Sequence, residues 1–182
     1  VSEEGFDLRP IGLADAEALA AAYTRNREHL RPWDPDRAEM FYTTEGQRES
    51  VTAQLRLIDE GRLLGWVLWL GDKAVGRIAM NNITRGVAQS ATIGYWVDHE
   101  AQGMGLAKVM VAFAVEQATQ LGLHRLEAGT MVDNAASQAV LKASGFEQYG
   151  TARDYLFLAG AWRDHHLWQR ILHDRPVLGG FL

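Results

Sequence analysis

Ser90 to Val97 alternates as a strand does, and just beyond it a loop with two glycines, Gln102-Gly103-Met104-Gly105, opens a long amphipathic helix. Leu106, Met110, Phe113, Ala114 and Leu121 fall on one face of that helix, and Gly122 stops it. Glycines between a strand and a helix N-terminus let backbone N–H groups turn outward at the positive end of the helix dipole. Such a turn is a seat for an anion such as a phosphate. A glycine pair alone is more often just a tight turn, so the surroundings decide. The loop lacks the Lys-Ser/Thr of a P-loop, and the third glycine and preceding N-terminal strand of a dinucleotide-binding turn are missing too.

Around this unit the chain alternates short apolar runs with helical stretches. Phe6 to Ile11 reads as a strand ended by Gly12, and the Ala-rich stretch Asp15 to Arg27 as a helix. After Pro32-Trp33-Asp34-Pro35, Thr44 and Gln47 have the spacing of a capping box, and Val51, Leu55 and Ile58 recur at helical spacing up to Gly61. Leu63 to Leu70, Val75 to Met80 and Ser90 to Val97, separated by Gly71-Asp72 and Thr84-Arg85-Gly86, predict an antiparallel meander. Leu126 to Val132 is a further strand, and Asp133-Asn134 caps a helix from Ala135 to Ser144 that Gly145 terminates. Tyr155 to Leu158 and His166 to Ile171 pair as a closing hairpin across a connection starting at Ala159-Gly160, and Pro176 to Leu182 is a loose end. The expected class is α/β (α+β) in the order β-α-α-β-β-β-α-β-α-β-β. With 182 residues and no repeat or linker, residues 1–182 read as one domain.

Composition narrows the function. Apolar residues at 47% against 23% charged predict a packed core. Eighteen Lys+Arg against 23 Asp+Glu, a net charge of -5 with no basic run, leave little for a nucleic-acid backbone to bind. The absence of cysteine excludes disulfides, thiolate metal sites and a Cys nucleophile, and fits the cytoplasm. The longest apolar run, Leu63 to Leu70, is far short of the ~20 residues that span a bilayer, and the acidic start Val1 to Gly5 leads into no leader-like segment. His165 and His166 are adjacent, so they alternate faces of a strand rather than chelate, and no metal site is expected.

Gln102-x-x-Gly105-x-Ala107 resembles the Q/R-x-x-G-x-G/A motif of the GNAT acetyltransferase superfamily. Asn134-Ala135-Ala136-Ser137 with Leu141-Lys142-Ala143-Ser144-Gly145-Phe146 is similar to that family's downstream N-x-x-[SA]…G-F segment. Asn26 to Trp33 and Ile93-Gly94-Tyr95-Trp96 resemble the RimJ/RimL branch, the ribosomal-protein N-acetyltransferases, and the likeness runs from about Leu8 to Ile171. The resemblance implies the GNAT fold, a mixed, mostly antiparallel sheet of about seven strands with helices on both faces, and acetyl-CoA as acyl donor without a metal. The pantetheine arm would lie in a V-shaped opening between the strand ending at Val97 and the strand ending at Val132. The N–H groups from Gly103 through Met104, Gly105 and Leu106 to Ala107 would cradle the pyrophosphate, with Gln102 and Lys142 also on the cofactor. Backbone groups of Trp96 and Val97 would bond the arm and polarise the thioester carbonyl, and Asn134, a helix cap in any case, would hold a pantetheine amide.

An α-amine with a pKa near ~7.7–8.0 needs only a modest base, unlike a lysine near ~10.4, and a thiol near about 8.5 is an acceptable leaving group. Positioning and oxyanion contacts should dominate. Many of these enzymes carry a Tyr acid where Leu141 stands here, so Ser137 is the expected donor to the departing sulfur, or else a small packing residue. Asp154 and Glu28 are the candidate bases, with Tyr155 and His29 behind them, and Thr92 stands where the family often has a carboxylate. Trp33 reads as a pocket wall or a lid, with Tyr95 and Tyr155 as further acceptor contacts. The expected reaction is direct acetyl transfer to a primary amine, foremost a protein N-terminus. A small amine such as an aminoglycoside or polyamine is the alternative acceptor, and a non-catalytic CoA-binding sensor is the rival function. The protein is expected as a monomer or homodimer, away from nucleic acid and membrane.

Overall fold

β1 (Phe6–Pro10), β2 (Leu64–Leu70), β3 (Lys73–Thr84) and β4 (Ser90–Val97) pair antiparallel in turn, and β5 (Arg125–Met131) runs parallel to β4. β7 (Ala161–Ile171) and then β6 (Glu147–Leu158) complete a mixed seven-stranded sheet in the order β1-β2-β3-β4-β5-β7-β6. α1 (Ala16–Arg25), α2 (Arg27–Leu30) and α3 (Thr44–Asp59) intervene between β1 and β2, α4 (Leu106–Gln120) between β4 and β5, and α5 (Ala135–Ala143) between β5 and β6. The computed structural model describes residues 5–175; most of the acidic start and the loose end read from Pro176 onward lie outside the described residues. No described helix is long and apolar enough to cross a membrane.

The sheet is covered on both faces, and period-two alternation sorts its side chains between two cores. Leu68, Ile78, Met80, Ile93 and Trp168 pack with Met110, Val111 and Ala114 of α4 and Leu141 of α5. Val67 and Trp69, the sequence neighbours of Leu68, pack on the other face with Leu19 and Tyr23 of α1 and Val51 of α3.

Three local expectations are corrected. The cap of α3 is Thr43, not Thr44: its hydroxyl accepts the Gly46 N–H at 3.1 Å, and the Gln47 side chain donates to the Phe41 carbonyl at 2.6 Å instead of closing a box. The first helical region breaks at Asn26 into α1 and a single extra turn, α2. The closing hairpin is far longer than Tyr155–Leu158 and His166–Ile171. Its turn is only Ala159-Gly160, both at positive φ (48 and 74), the left-handed pair of a tight hairpin turn. β6 is one of the two edge strands of the sheet, mostly exposed and interrupted by register shifts, so it carries no apolar alternation to read.

The feature that positions a site is where β4 and β5 part. Their register holds at Ser90↔Arg125, Ala91↔Leu126 and Thr92↔Glu127 and then ends, while β4 stays paired to β3 and β5 to β7. Ile93 to Val97 and the end of β5 therefore splay apart, forming the V-shaped opening that the resemblance implied.

Candidate active site

A cleft of about 420 Å³ runs through this opening. Strand alternation gives it two halves. Towards α5 lie Tyr95, Asn134, Ser137 and Leu141; towards α1 and α2 lie Trp33, Asp34, Arg77, Asn81, Trp96 and His165. Ala79 and Gly94, paired across β3 and β4, keep the floor between them shallow.

The direction of the β4 backbone groups follows from its register. The Asp98 N–H donates to the Val75 carbonyl at 2.7 Å and Gly76 stands opposite Val97. Antiparallel alternation then turns the Trp96 N–H and C=O toward β3, and those of Tyr95 and Val97 toward the opening. Trp96, expected to present backbone groups, instead enters the cleft by its indole, whose Nε1–H donates to the Tyr23 hydroxyl at 3.1 Å.

Beyond β4 a buried ion pair anchors the turn into the glycine loop. Asp98 is fully buried; it accepts from Arg25 Nε at 2.8 Å and Nη2 at 2.5 Å, and from the Glu100 N–H at 3.0 Å. Burial pushes its carboxyl up, but the hydrogen bonds from Glu100, Asn26 and Arg25 outweigh that and hold it below the usual carboxylate range. Lys73 also pairs with Glu100. Next, Gly103 (φ +76) and Gly105 (φ +78) occupy the left-handed region, and a Cβ on either would meet nothing within 4 Å. Gly105 is the N-cap of α4, so the first N–H groups of the helix face an open cradle. Gln102 beside them contacts His29 at 3.1 Å, tying α2 to the loop. Lys142 stands exposed on α5 with its Nζ 5.6 Å from the Trp168 ring.

On α5 the Asn134 carboxamide oxygen accepts the Ser137 N–H at 3.0 Å, the expected cap. The Ser137 Oγ lies 2.9 Å from the Tyr95 hydroxyl. Burial pushes the Tyr95 phenol up to about 12, although the Ser137 contact works against it, so Tyr95 stays protonated at neutral pH. Either hydroxyl can donate across this contact, and the phenol also donates to the Ser137 carbonyl at 3.4 Å, so Tyr95 fixes the serine Oγ beside the cleft. Tyr95 lines the cleft from its α5 half. Leu141 is fully buried in the core.

Neither expected base reaches the cleft. Glu28 has an 80% exposed side chain and pairs with Arg31 at 3.3 Å. Asp154 sits exposed on the irregular edge strand at φ 48, its N–H donating to Asp164 Oδ1 at 2.9 Å. Trp33 does line the cleft, and the half-exposed Tyr155 lies beside it, its ring 5.4 Å from that of His165. His165, read from the sequence only as a strand residue that does not chelate, lines the same cleft. It is 3% exposed and its Nδ1 donates to the Arg163 carbonyl at 2.9 Å. That bond fixes the tautomer and leaves the Nε2 lone pair without a protein partner in the cleft lining. His166 points away, to Gln148 and Thr151.

With this geometry in view, the likenesses to known proteins are specific. The profile of the acetyltransferase (GNAT) domain family matches residues 6–147, more than half of the chain. The probable N-acetyltransferase YjcK of Bacillus subtilis is 36% identical over 163 residues, 88% of this chain and 90% of that protein. The crystal structure of ribosomal-protein-S5-alanine acetyltransferase from Vibrio fischeri superposes with a TM-score of 0.91 at 33% identity, covering 97% of this chain and 98% of that one. Mycobacterium smegmatis RimJ in complex with CoA-disulfide gives a TM-score of 0.87 at 32% identity, over 91% of this chain and 81% of that one.

Proposed function

This chain belongs to the GNAT family of N-acetyltransferases, and on that premise we propose that it acts as one unit carrying acetyl from acetyl-CoA to the α-amine of a polypeptide N-terminus, of the ribosomal-protein kind and therefore in the cytoplasm. The observation that carries the reading is the pairing of an open N–H cradle at Gly103 and Gly105 with a cleft that passes between β4 and β5 to the opposite face. The solved relatives that support it are named for S5-alanine acetylation and for CoA binding.

The residues present fit the donor. Nothing lies within 4 Å of where a Cβ on Gly103 or Gly105 would stand, which leaves room for close approach of a pyrophosphate, and the α4 N-terminus supplies N–H groups and a positive dipole end. Asn134 and the outward backbone groups of Tyr95 and Val97 would hold the pantetheine arm. When bound, acetyl-CoA supplies an activated acyl carbon and a thiol leaving group. The Val97 N–H, fixed in the strand, is placed to hold the carbonyl oxygen where negative charge develops. The Ser137 hydroxyl, held by Tyr95, would donate to the departing sulfur. His165 Nε2 takes the proton of the incoming ammonium; an α-ammonium passes its proton to an imidazole far more readily than a lysine does. With Leu141 at the usual acid position, this reading relies on Ser137, which lines the same cleft, as the donor in its place.

The test is incubation with isotopically labelled acetyl-CoA and a panel of peptides beginning with Ala or Ser, alongside spermidine and an aminoglycoside. Label on peptide α-amines with stoichiometric thiol release is expected. Transfer confined to the small amines would overturn the acceptor, and binding without any transfer would favour the sensor.

A further inference from the structure

The cleft half that faces α1 and α2 carries a cation with no partner among the described residues. Its charged lining is Asp34, Arg37 and Arg77. Asp34 and Arg37 satisfy each other through bonds of 3.1 Å and 3.3 Å. Arg77 is half-buried on β3, its Nε is enclosed without an acceptor, and it makes no hydrogen bond, ion pair or ring contact among the described residues. The other described arginines in that state of burial, Arg25, Arg27, Arg125, Arg163 and Arg170, all bond a carboxylate or a carbonyl. An enclosed guanidinium nitrogen left unsatisfied costs stability, which is tolerable where a ligand completes it. Two positions further along the same face, beyond Ala79, Asn81 also lines the cleft with no side-chain hydrogen bond. The two donors flank the shallow floor of Ala79 and Gly94, next to the splayed end of β4.

Resting on the function proposed above, we propose that Arg77 is an acceptor-specificity residue that, with Asn81, binds a carboxylate side chain in the second or third residue of the peptide whose α-amine is acetylated. Arg77 lies on β3 opposite Trp96, so the width of β4, about 4.8 Å between strands, separates it from the edge where the Tyr95 and Val97 groups face the opening, and successive residues of an extended peptide are roughly 3.3–3.6 Å apart. An acidic side chain that close to the amine is within reach of the guanidinium, which pairs with carboxylates in fork geometry. The chain as a whole is acidic, at -5, yet this half of the cleft is left with one uncompensated positive charge. Polycationic amines are thereby disfavoured.

The experiment compares peptides Ala-Asp-, Ala-Asn- and Ala-Lys-, and the same set with the variable residue third, in calorimetric binding to the protein and in kcat/KM with acetyl-CoA. At one of the two positions Asp should exceed Asn by roughly tenfold or more in both readouts, the size of a charge-assisted hydrogen bond. Arg77→Gln should erase that ratio, and Arg77→Glu should turn it toward Lys. Arg77→Gln should melt no lower than the parent, since no internal partner is lost. Equal binding of Asp and Asn peptides, or a preference that survives Arg77→Gln, overturns the assignment. Absence of acetylation on every peptide would instead refute the transfer reading, and the binding ratio would still decide the role of Arg77.

Discussion

Replacing Tyr95 with Phe removes a single oxygen and leaves the ring in its place against the α4 core. That oxygen sits 2.9 Å from Ser137 Oγ and 3.4 Å from the Ser137 carbonyl, and in the proposed mechanism it orients the serine hydroxyl. A neutral hydrogen bond contributes about 0.5–1.5 kcal/mol, so kcat should fall roughly 2- to 13-fold, with the KM for acetyl-CoA nearly unchanged. Ser137→Ala removes the donor itself and should cost more, about 10- to 100-fold. Since Tyr95 acts through Ser137, the double variant should be no slower than Ser137→Ala alone, so the coupling equals the whole Tyr95 effect. Thiol-release kinetics of the four proteins measure this cycle. Because burial holds the Tyr95 phenol at about 12, the parent rate should show no loss from its ionisation up to about pH 10. Additive effects of the two substitutions would refute the orienting role, as would a full-speed Tyr95→Phe.

His165→Gln should lower kcat/KM about 100-fold while the KM for acetyl-CoA stays nearly unchanged, read from initial rates; a full-speed variant would assign the base elsewhere. Asp98→Asn should cost about 3 kcal/mol at neutral pH, the low end for breaking a buried pair, because Arg25 keeps 25% exposure. Since the folded carboxyl lies below its ordinary value, this stabilisation is present above the unfolded pKa near ~3.9 and is lost as the pH falls through the folded one. Urea unfolding from neutral to acid pH should therefore show parent and variant converging at the acid end, and a constant gap would contradict the pairing.

Residues whose local chemistry states their role are legible in the amino-acid sequence. The alternation of Ser90 to Val97 ends where β4 ends, because one face of that strand is buried and a loop follows at once. Gly103, Gly105, Asn134 and Ser137 stand out because their positions serve backbone geometry and capping, which sequence spacing records. β6 escapes such reading because an exposed edge strand has no apolar face to betray it. Glu28 and Asp154 mislead for the opposite reason: carboxylates suit a base, but only packing tells whether they face a cleft or solvent. His165 needs a bond from Nδ1 to a carbonyl before its free nitrogen has meaning. Trp96 and Val97 can be told apart only through the register with β3, since a one-residue change reverses which backbone groups face the opening.

The most direct test of the account is the affinity of CoA for the parent and for Gly105→Glu, measured by calorimetry together with a thermal melt. The left-handed backbone at φ +78 should cost the variant about 1–2 kcal/mol of stability, and nothing crowds its side chain. A carboxylate beside a pyrophosphate should weaken CoA by roughly two to three orders of magnitude. A folded Gly105→Glu that binds CoA as tightly as the parent would contradict the account, because the cradle at the head of α4 would then not be where the donor is held.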